Sequence, residues 1–273
     1  MQDSRVSRIQ PTKRSIQMKS KLQNTAIKRV SPGMTFLALL FLGISCLAQF
    51  KEEFRKVLPL SPNGQFRLSN VNGEVVIRTW EQPSVQIIAI KEAASAELLA
   101  ELKIEVRAVA DSVEVETIYP KGVRNGNFSA KYNVTLPKTV VLKQIETVNG
   151  NVDIEGMSSE VRFQTVNGNG RLRGCSGRVD GQTVNGGLDV EALAGQNVAD
   201  ASLKTVNGSI KMTVPDLTDV RAEAETVNGS IQTDFPFEVK KHLVGKEMSG
   251  SLGSGKGKIQ LETVNGSIRL VKK

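Results

Sequence analysis

The chain carries few residue patterns that could support catalysis or cofactor binding. One of them, Gly250–Gly257, is close to the phosphate-binding loop Gly-x-x-x-x-Gly-Lys-[Ser/Thr]. Its last residue is Gly257, where a hydroxyl would have to hold magnesium, and the segment that follows reads as a strand. No helix N-terminus would therefore face a phosphate. The pattern does not predict nucleotide binding.

The carboxylates, the single His and the cysteines give no clearer sign of catalysis. A solenoid enzyme that cuts polysaccharides needs two carboxylates close together on one outer face. Glu225 and Glu262 occupy equivalent positions of a sequence repeat, but that position is mixed, as in a solvated face: Glu146, Gln164, Gln182, Lys204, Glu225 and Glu262. We predict no catalytic, cofactor-binding or metal-binding residues. The alternative is a polysaccharide-active enzyme with its site in segment 235–247 or at Asp216.

These residues sit on a repeat in which Val-Asn-Gly recurs seven times. The spacings between the last six Asn residues are 18, 18, 22, 21 and 37. Met248–Leu252 aligns as a degenerate copy within the longest gap. Repetition at about 20 residues is typical of a solenoid whose coils bury their apolar faces only by stacking. The predicted structural residues are Asn72, Gly73, Asn149, Gly150, Asn167, Gly168, Asn185, Gly186, Asn207, Gly208, Asn228, Gly229, Asn265 and Gly266.

The apolar residues of each repeat alternate, which predicts strands with one buried face. Counting the Val of each motif as position 0, the pattern places Val227, Gly229 and Ile231 on one face and Ala222 and Ala224 on it upstream. Even positions after the motif and odd positions before it cannot share a face in a continuous strand. We therefore expect a bend near the Thr-Val step, with Val in the core.

The Asn of each motif has two interpretations. Asn-Gly is a common turn dipeptide and would also suit the tip of a hairpin in a β-meander. Alternatively, the Asn side chains stack into a ladder, in which each amide bonds to the amide of the next coil. The common phase of Val, Gly and Ile through the motif favours the solenoid over the meander.

The first 48 residues read as an export signal. Residues 1–33 hold eight Lys or Arg and one acid, and residues 34–48 hold no charge and an apolar run before Ala48. This order is typical of a secretory signal peptide. The alternatives are an uncleaved membrane anchor and lipidation at Cys46. Without this segment 28 basic and 27 acidic residues remain, so the high pI comes from the leader and gives no support for nucleic-acid binding.

The remaining chain divides into three parts. Residues 49–61 are predicted to be a linker, 62–145 a first coil with a capping segment, and 146–273 the Thr-Val-Asn-Gly repeat solenoid. The capping segment holds the one helix-rich stretch, 92–102, between predicted strands. A solenoid needs such a cap because its end exposes unpaired strand edges. The fold predicted is thus an all-β solenoid with a small helix-containing N-terminal cap.

The order of these segments resembles a known family. An Asn-Gly coil, a strand ending in Trp80, a helix, paired strands and closing Thr-Val-Asn-Gly coils are similar to the bacterial putative-adhesin domain family of unknown function, related to head GIN domains. The resemblance covers about residues 60–271. It implies a β-helical protein of the cell envelope and brings no catalytic residues with it.

The repeats and the resemblance together indicate a non-enzymatic, exported envelope protein of the periplasm or cell surface, acting as an adhesin or scaffold. Stacked coils would give a long face for an extended partner, either an envelope polysaccharide or a surface protein. Lys204, Glu225 and Glu262 are the candidate residues of that face. A purely structural rod that binds nothing is the remaining alternative.

Overall fold

The computed structural model describes residues 49–123, 127–193, 200–215 and 217–273. The predicted signal peptide at 1–48, including Cys46, and the corner at Asp216 lie outside these residues. In the described part the chain forms 21 strands and one short helix, and the strands assemble into two large sheets. The prediction of an all-β protein is confirmed.

Sheet 1 contains ten strands. In spatial order they are β1 (Phe50–Pro59), β4 (Ser84–Ala93), β7 (Ser129–Pro137), β3 (Val75–Trp80), β9 (Val152–Glu155), β11 (Gly170–Cys175), β13 (Leu188–Ala192), β15 (Ile210–Val214), β21 (Ile268–Lys272) and β17 (Ile231–Thr233). The strands from β3 to β17 are parallel to one another, whereas β1 and β4 are antiparallel to their neighbours.

Sheet 2 contains eleven strands. In spatial order they are β18 (Glu238–Lys241), β19 (Lys246–Leu252), β16 (Val220–Asn228), β20 (Gly257–Asn265), β14 (Asp200–Asn207), β12 (Val179–Gln182), β10 (Val161–Asn167), β8 (Val141–Asn149), β2 (Gln65–Ser69), β6 (Ser112–Ile118) and β5 (Lys103–Val109). Antiparallel pairs occur at both ends, and the strands between them are parallel.

Each Asn-Gly motif lies where the chain passes from sheet 2 to sheet 1. The strand pairs formed in this way are β2/β3, β8/β9, β10/β11, β12/β13, β14/β15, β16/β17 and β20/β21. Equivalent strands of stacked pairs are parallel and place Asn opposite Asn, as at Asn167 and Asn149. A meander of hairpins would pair successive strands antiparallel. The arrangement is therefore solenoid-like.

The expected position of the bend was wrong by one residue. Thr at position −1 is buried in six motifs, with Thr226 at 0% exposure, whereas Val227 at position 0 is 38% exposed. The buried face therefore continues through Thr and changes between Val and Gly. The buried Thr hydroxyl is tolerated because it donates to a Gly carbonyl of the neighbouring coil, as from Thr226 to Gly266 at 2.9 Å.

The coils do not stack in chain order. The last coil, β20/β21, lies between β14/β15 and β16/β17, and its strands pair in parallel with both. Met248–Leu252 is not the degenerate coil that its alignment predicted, because it lies in β19, antiparallel to β16. This stretch has no Asn with which to continue the parallel stack. It instead forms, with β18, an antiparallel ribbon beside β16.

The N-terminal end also differs from expectation. Residues 49–61 are not a linker, because Phe50–Pro59 pairs with β4 along all ten residues. The helix α1 (Ala96–Glu101) is shorter than expected, since Glu92 and Ala93 extend β4, and Ser95 caps it through its side chain. α1 packs against β1 and β4. The strands β6 and β7 pair in parallel with β2 and β3.

The core lies between the two sheets and runs the length of the stack. Most of its side chains are aliphatic, and Phe163 is the bulky exception in the central coils. It fits because Gly170 and Gly181 have no side chains where they meet its ring. In the described part of the chain, no helix is long and apolar enough to cross a membrane.

Candidate ligand-binding face

The Asn side chains of the seven motifs form one continuous ladder along the corner of the stack. Each amide nitrogen donates to the amide oxygen of the adjacent Asn, over 2.7 to 2.9 Å. In spatial order the ladder reads Asn72, Asn149, Asn167, Asn185, Asn207, Asn265 and Asn228. The ladder lies outside the core, and its hydrogen bonds fix the register of each coil on the next.

The Gly of each motif allows the coils to approach closely. A Cβ added to Gly168 would collide with the carbonyl oxygen of Gly150, and the same holds for Gly186 against Gly168. These same carbonyl oxygens accept the Thr hydroxyls, as from Thr183 to Gly168 at 2.9 Å. Thr, Asn and Gly therefore hold the coils together, and Val faces outward without taking part in these hydrogen bonds or in the close approach of the coils.

The outward valines form a row on the outer face of sheet 2. We call it the valine row: Val71, Val148, Val166, Val184, Val206, Val264 and Val227, in spatial order. Val166 is half-buried, and the other six are 37% to 40% exposed. Isolated surface valines are ordinary, but a continuous apolar row across stacked coils is a typical sign of a contact surface.

A second row lies two residues upstream, at position −2. This polar row consists of Glu146, Gln164, Gln182, Lys204, Glu262 and Glu225, in spatial order. Between the two rows runs an open groove of about 470 Å³, with the Thr residues of position −1 along its floor. It spans five coils, from Gln164 to Glu225, which corresponds to about 19 Å at the usual strand spacing.

The structure brings together the three residues that the sequence placed on a binding face. Lys204 Nζ lies 3.0 Å from a Glu262 carboxylate oxygen, and Glu225 is the next residue in the row. Glu225 lies between Glu262 and Glu247, and it has no ion pair or side-chain hydrogen bond within the described residues. Its carboxylate is therefore free to accept hydrogen bonds from a ligand.

The near-match to a phosphate-binding loop has a structural role. The Asp219 carboxylate accepts hydrogen bonds from the Ser254 hydroxyl at 2.8 Å and from the Lys256 backbone N–H at 3.2 Å. These bonds, that of Ser254 foremost, lower the pKa of Asp219 below its ordinary value. The donors of the loop thus converge on a side chain of the protein itself.

Other candidate groups are dispersed. Arg171 lies between Asp153 and Asp189 in sheet 1, with its guanidinium 3.9 Å from the Asp153 carboxylate. The three residues thus form a row of alternating charges across neighbouring strands. Cys175 is buried, and burial raises the pKa of its thiol. His242 lies 3.3 Å from Glu247 on the surface. Among the described residues, no three His, Cys, Asp or Glu side chains form a group that could hold a metal ion.

Sequence reasoning missed the valine row. The signal was present, because Val is the residue of the motif that never changes to another aliphatic, whereas the buried position +4 varies between Val, Leu, Ile and Gly. A core position tolerates such exchanges with repacking. A constant Val beside varying core residues could have indicated a separate, outward position.

Comparison with known proteins places the chain in a family. Among curated proteins, none matches it. A putative cell adhesion protein of Clostridium sporogenes is similar in structure, with 15% identity, a TM-score of 0.45, and coverage of 81% of this chain and 100% of the other. A putative adhesin of Bacteroides fragilis has 15% identity and a TM-score of 0.42, with coverage of 80% of this chain and 97% of the other. A putative lipid binding protein of Parabacteroides distasonis has 12% identity and a TM-score of 0.30, with coverage of 81% of this chain and 97% of the other.

The TM-scores of these structures are too low to carry an argument about function. The family profile is the stronger finding, because it matches residues 48–271, which is most of the sequence and nearly all of the described part. It also agrees with the resemblance drawn from the order of coils, helix and closing repeats. The chain belongs to the Toastrack DUF4097 family.

Proposed function

We propose that this protein is a non-enzymatic binding protein of the bacterial envelope, which holds an extended polysaccharide in the groove between the valine row and the polar row. The observation that carries the proposal is the continuity of the two rows over five coils. A sugar ring has an apolar C–H face and a rim of hydroxyls. Valines on one wall and Gln, Lys and Glu on the other match both.

Weak contacts repeated at each coil would add up along a polymer. One coil offers a Val and one polar side chain, which is too little for specific binding alone. A chain that contacts several coils makes the later contacts intramolecular, so its affinity rises without any new kind of contact. The proposal therefore favours polymers over single sugars.

A second part of the proposal concerns the scaffold that carries the groove. We propose that the repeat region, 146–273, is a solenoid of coils of about 20 residues, and that the segment 62–145 contributes the first coil and its cap. The packing of α1 against β1 and β4, the last two strands at this end of sheet 1, supports the cap. A capped stack keeps its end from aggregating.

The leader segment supports a proposal about export. We propose that residues 1–48 are removed and that the mature protein begins near Gln49, in the periplasm or at the cell surface. The basic and then uncharged composition of that segment supports this. The intact mass of the protein in membrane and periplasmic fractions tests it, and a cytoplasmic protein that retains residues 34–48 would contradict it.

Glu225 offers a test in which binding and stability change in opposite directions. Like charges opposite one another in a sheet are unfavourable by up to about 1 kcal/mol. Glu225→Gln removes the charge between Glu262 and Glu247 and keeps the shape, so it should raise the unfolding free energy slightly. It should also weaken binding to the preferred polymer by about tenfold, if one charged hydrogen bond is lost.

The measurement uses a glycan array of peptidoglycan strands, neutral glucans and uronic-acid polymers, with a product assay on every polymer bound. The matched control is Glu114→Gln, an exposed glutamate near the far end of sheet 2. Binding without turnover that is weakened only by Glu225→Gln supports the proposal. Turnover would indicate an enzyme, and the absence of binding to every polymer would indicate a structural rod.

A further inference from the structure

The outer edge of β1 is a regular strand edge left unpaired by the described residues. β1 pairs with β4 through ten consecutive residues without a bulge, and it is the last strand at its end of sheet 1. Proline occurs only at its final position, Pro59. An edge of this length and regularity can accept another strand through its backbone groups.

The charges along β1 are complementary to themselves in reverse order. Glu52 and Glu53 precede Phe54, and Arg55 and Lys56 follow it. In an antiparallel pair centred on Phe54, Glu53 lies opposite Arg55 of the second copy, and Glu52 lies opposite Lys56. Directly opposite residues share a face and interact, and opposite charges at such positions are favourable.

We propose that two copies of this protein associate through their β1 strands, antiparallel and centred on Phe54, so that sheet 1 continues from one copy into the other. Charges placed only to prevent edge pairing need carry no such order. Here the four residues nearest the centre give four attractive pairs and no repulsive pair in the symmetric dimer.

The apolar residues at this end of the core are incompletely covered, which is a second and independent observation. Phe54 and Leu58 of β1 and Ile104 and Val106 of β5 pack against the core but stay partly exposed. Phe50, on the same face of β1, is 43% exposed. In the proposed pair Phe50 lies opposite Leu58 of the second copy, and the two Phe54 side chains lie opposite each other, so each copy covers the other.

The opposite end of the stack is less suited to pairing. The last strand of sheet 1 there is β17, with three residues. The last strand of sheet 2 is β18, whose four residues are all exposed. Short edges give few backbone hydrogen bonds. The ten-residue edge of β1 is therefore the place where a second copy gains the most contacts.

Two charge reversals test the pairing. Glu53→Arg places two arginine side chains opposite each other across the pair, because its partner position in the second copy is Arg55. Arg55→Glu places two glutamates opposite each other in the same way, so each variant alone should weaken self-association by at least about tenfold. Mixed together, the two variants regain complementary pairs. A one-to-one mixture should therefore form a heterodimer, which no effect on folding alone could produce.

The measurement is sedimentation velocity of the purified protein over a concentration series, with circular dichroism to show that each variant is folded. Within β1, Glu53 forms an ion pair with Arg55 at 3.3 Å. The matched control is therefore Glu105→Arg, which breaks the corresponding pair of Glu105 with Arg107 on β5, the other edge strand at this end. We expect dimers for the wild type, for the control and for the mixture, and monomers for each β1 variant alone. A monomeric wild type, dimers that survive either β1 reversal, or a mixture that stays monomeric would overturn the proposal.

Discussion

At the scale of the residue, the four positions of the repeated motif have separate roles. Thr is buried and donates to a carbonyl of the next coil, Val faces outward along the groove, Asn continues the ladder, and Gly permits close approach. Each role repeats because each coil meets the next in the same way. The motif is therefore a set of contacts between coils, and its outward Val is the member that takes no part in their hydrogen bonds or close approach.

The close approach at Gly gives a direct test, because two adjacent glycines differ in their surroundings. A Cβ at Gly186 would collide with the Gly168 carbonyl oxygen, whereas a Cβ at Gly187 would have its nearest neighbour at 3.2 Å. Gly186→Ala should force two coils apart and cost about 3 kcal/mol or more, in the range of severe overpacking. Gly187→Ala should cost less than about 1 kcal/mol.

Urea denaturation of both variants measures the difference. The two substitutions add the same methyl group to neighbouring residues, so intrinsic backbone preferences largely cancel between them. Equal losses of stability would show that Gly186 is chosen for its conformation and not for contact between coils.

The residue scale is also where sequence reasoning was least accurate. Period-two alternation predicted strands correctly, but Thr and Val are both β-branched and either could have faced the core. The choice depends on a carbonyl oxygen of a different coil, which accepts the Thr hydroxyl. No pattern within one repeat contains that acceptor.

At the scale of the element, β1 shows why a strand was taken for a linker. Five of its ten residues are charged, and its inward positions include Lys56 between Phe54 and Leu58. Charged side chains are common on edge strands. The pairing residues of β1 lie in β4, from Ser84 to Ala93, well outside the local stretch of sequence. Local composition therefore gave a misleading answer.

A charge cluster holds β1 to the sheet and makes this end sensitive to acid. The Glu92 carboxylate, 5% exposed, lies 2.8 Å from Lys51 Nζ of β1 and 3.2 Å from Lys131 Nζ of β7. The hydrogen bond from Lys51 is the largest cause that holds the pKa of Glu92 below its ordinary value of 4.5, followed among the lowering causes by Lys131. A lowered pKa in the folded state stabilises the protein above the ordinary value, and the effect is lost as pH falls through the folded value.

Glu92→Gln tests this linkage. At pH 7 the variant should be less stable than the wild type by about 1–3 kcal/mol, since the two lysines then donate to a neutral amide in place of a charged carboxylate. The difference should stay constant down to about pH 5 and begin to shrink below about pH 4.5, where the carboxyl of the unfolded chain takes up a proton, and it should be lost as pH falls through the lower pKa of the folded state. Urea denaturation at fixed protein concentration from pH 7 to pH 3 measures it, and a difference independent of pH would exclude this role.

At the scale of the whole molecule, the order of stacking is the feature that the sequence could not reveal. Three coils carry the same Asn-Gly-Ser-Ile at their corner, so the motif does not distinguish which of them are neighbours. The coil β20/β21 lies between β14/β15 and β16/β17. On its other side, β16 pairs with the antiparallel strand β19. Sequence periodicity predicts that coils stack but contains no information on which coil comes next.

This order also builds the proposed binding face. Lys204 and Glu262 are 58 residues apart along the chain, and Glu262 and Glu225 are 37 apart, yet the three are successive members of the polar row. Stacking in chain order would place Lys204 beside Glu225 and would move Glu262 away from Lys204. The ion pair between Lys204 and Glu262, and the free carboxylate of Glu225, both depend on insertion of the last coil.

A pair of engineered disulfides measures the order of the coils directly. Ser209 lies beside Ser267, whose backbone N–H donates to the Ser209 hydroxyl at 3.2 Å, and Ser230 lies beyond Ser267. Cysteines can bridge adjacent strands, whose spacing is about 4.8 Å, but not strands two coils apart at about 9.6 Å. Oxidation should therefore cross-link Ser209→Cys with Ser267→Cys within one chain and leave Ser209→Cys with Ser230→Cys unlinked, as read by intact mass and non-reducing electrophoresis. An efficient link in the second variant and none in the first would show that the coils stack in chain order and would contradict the account.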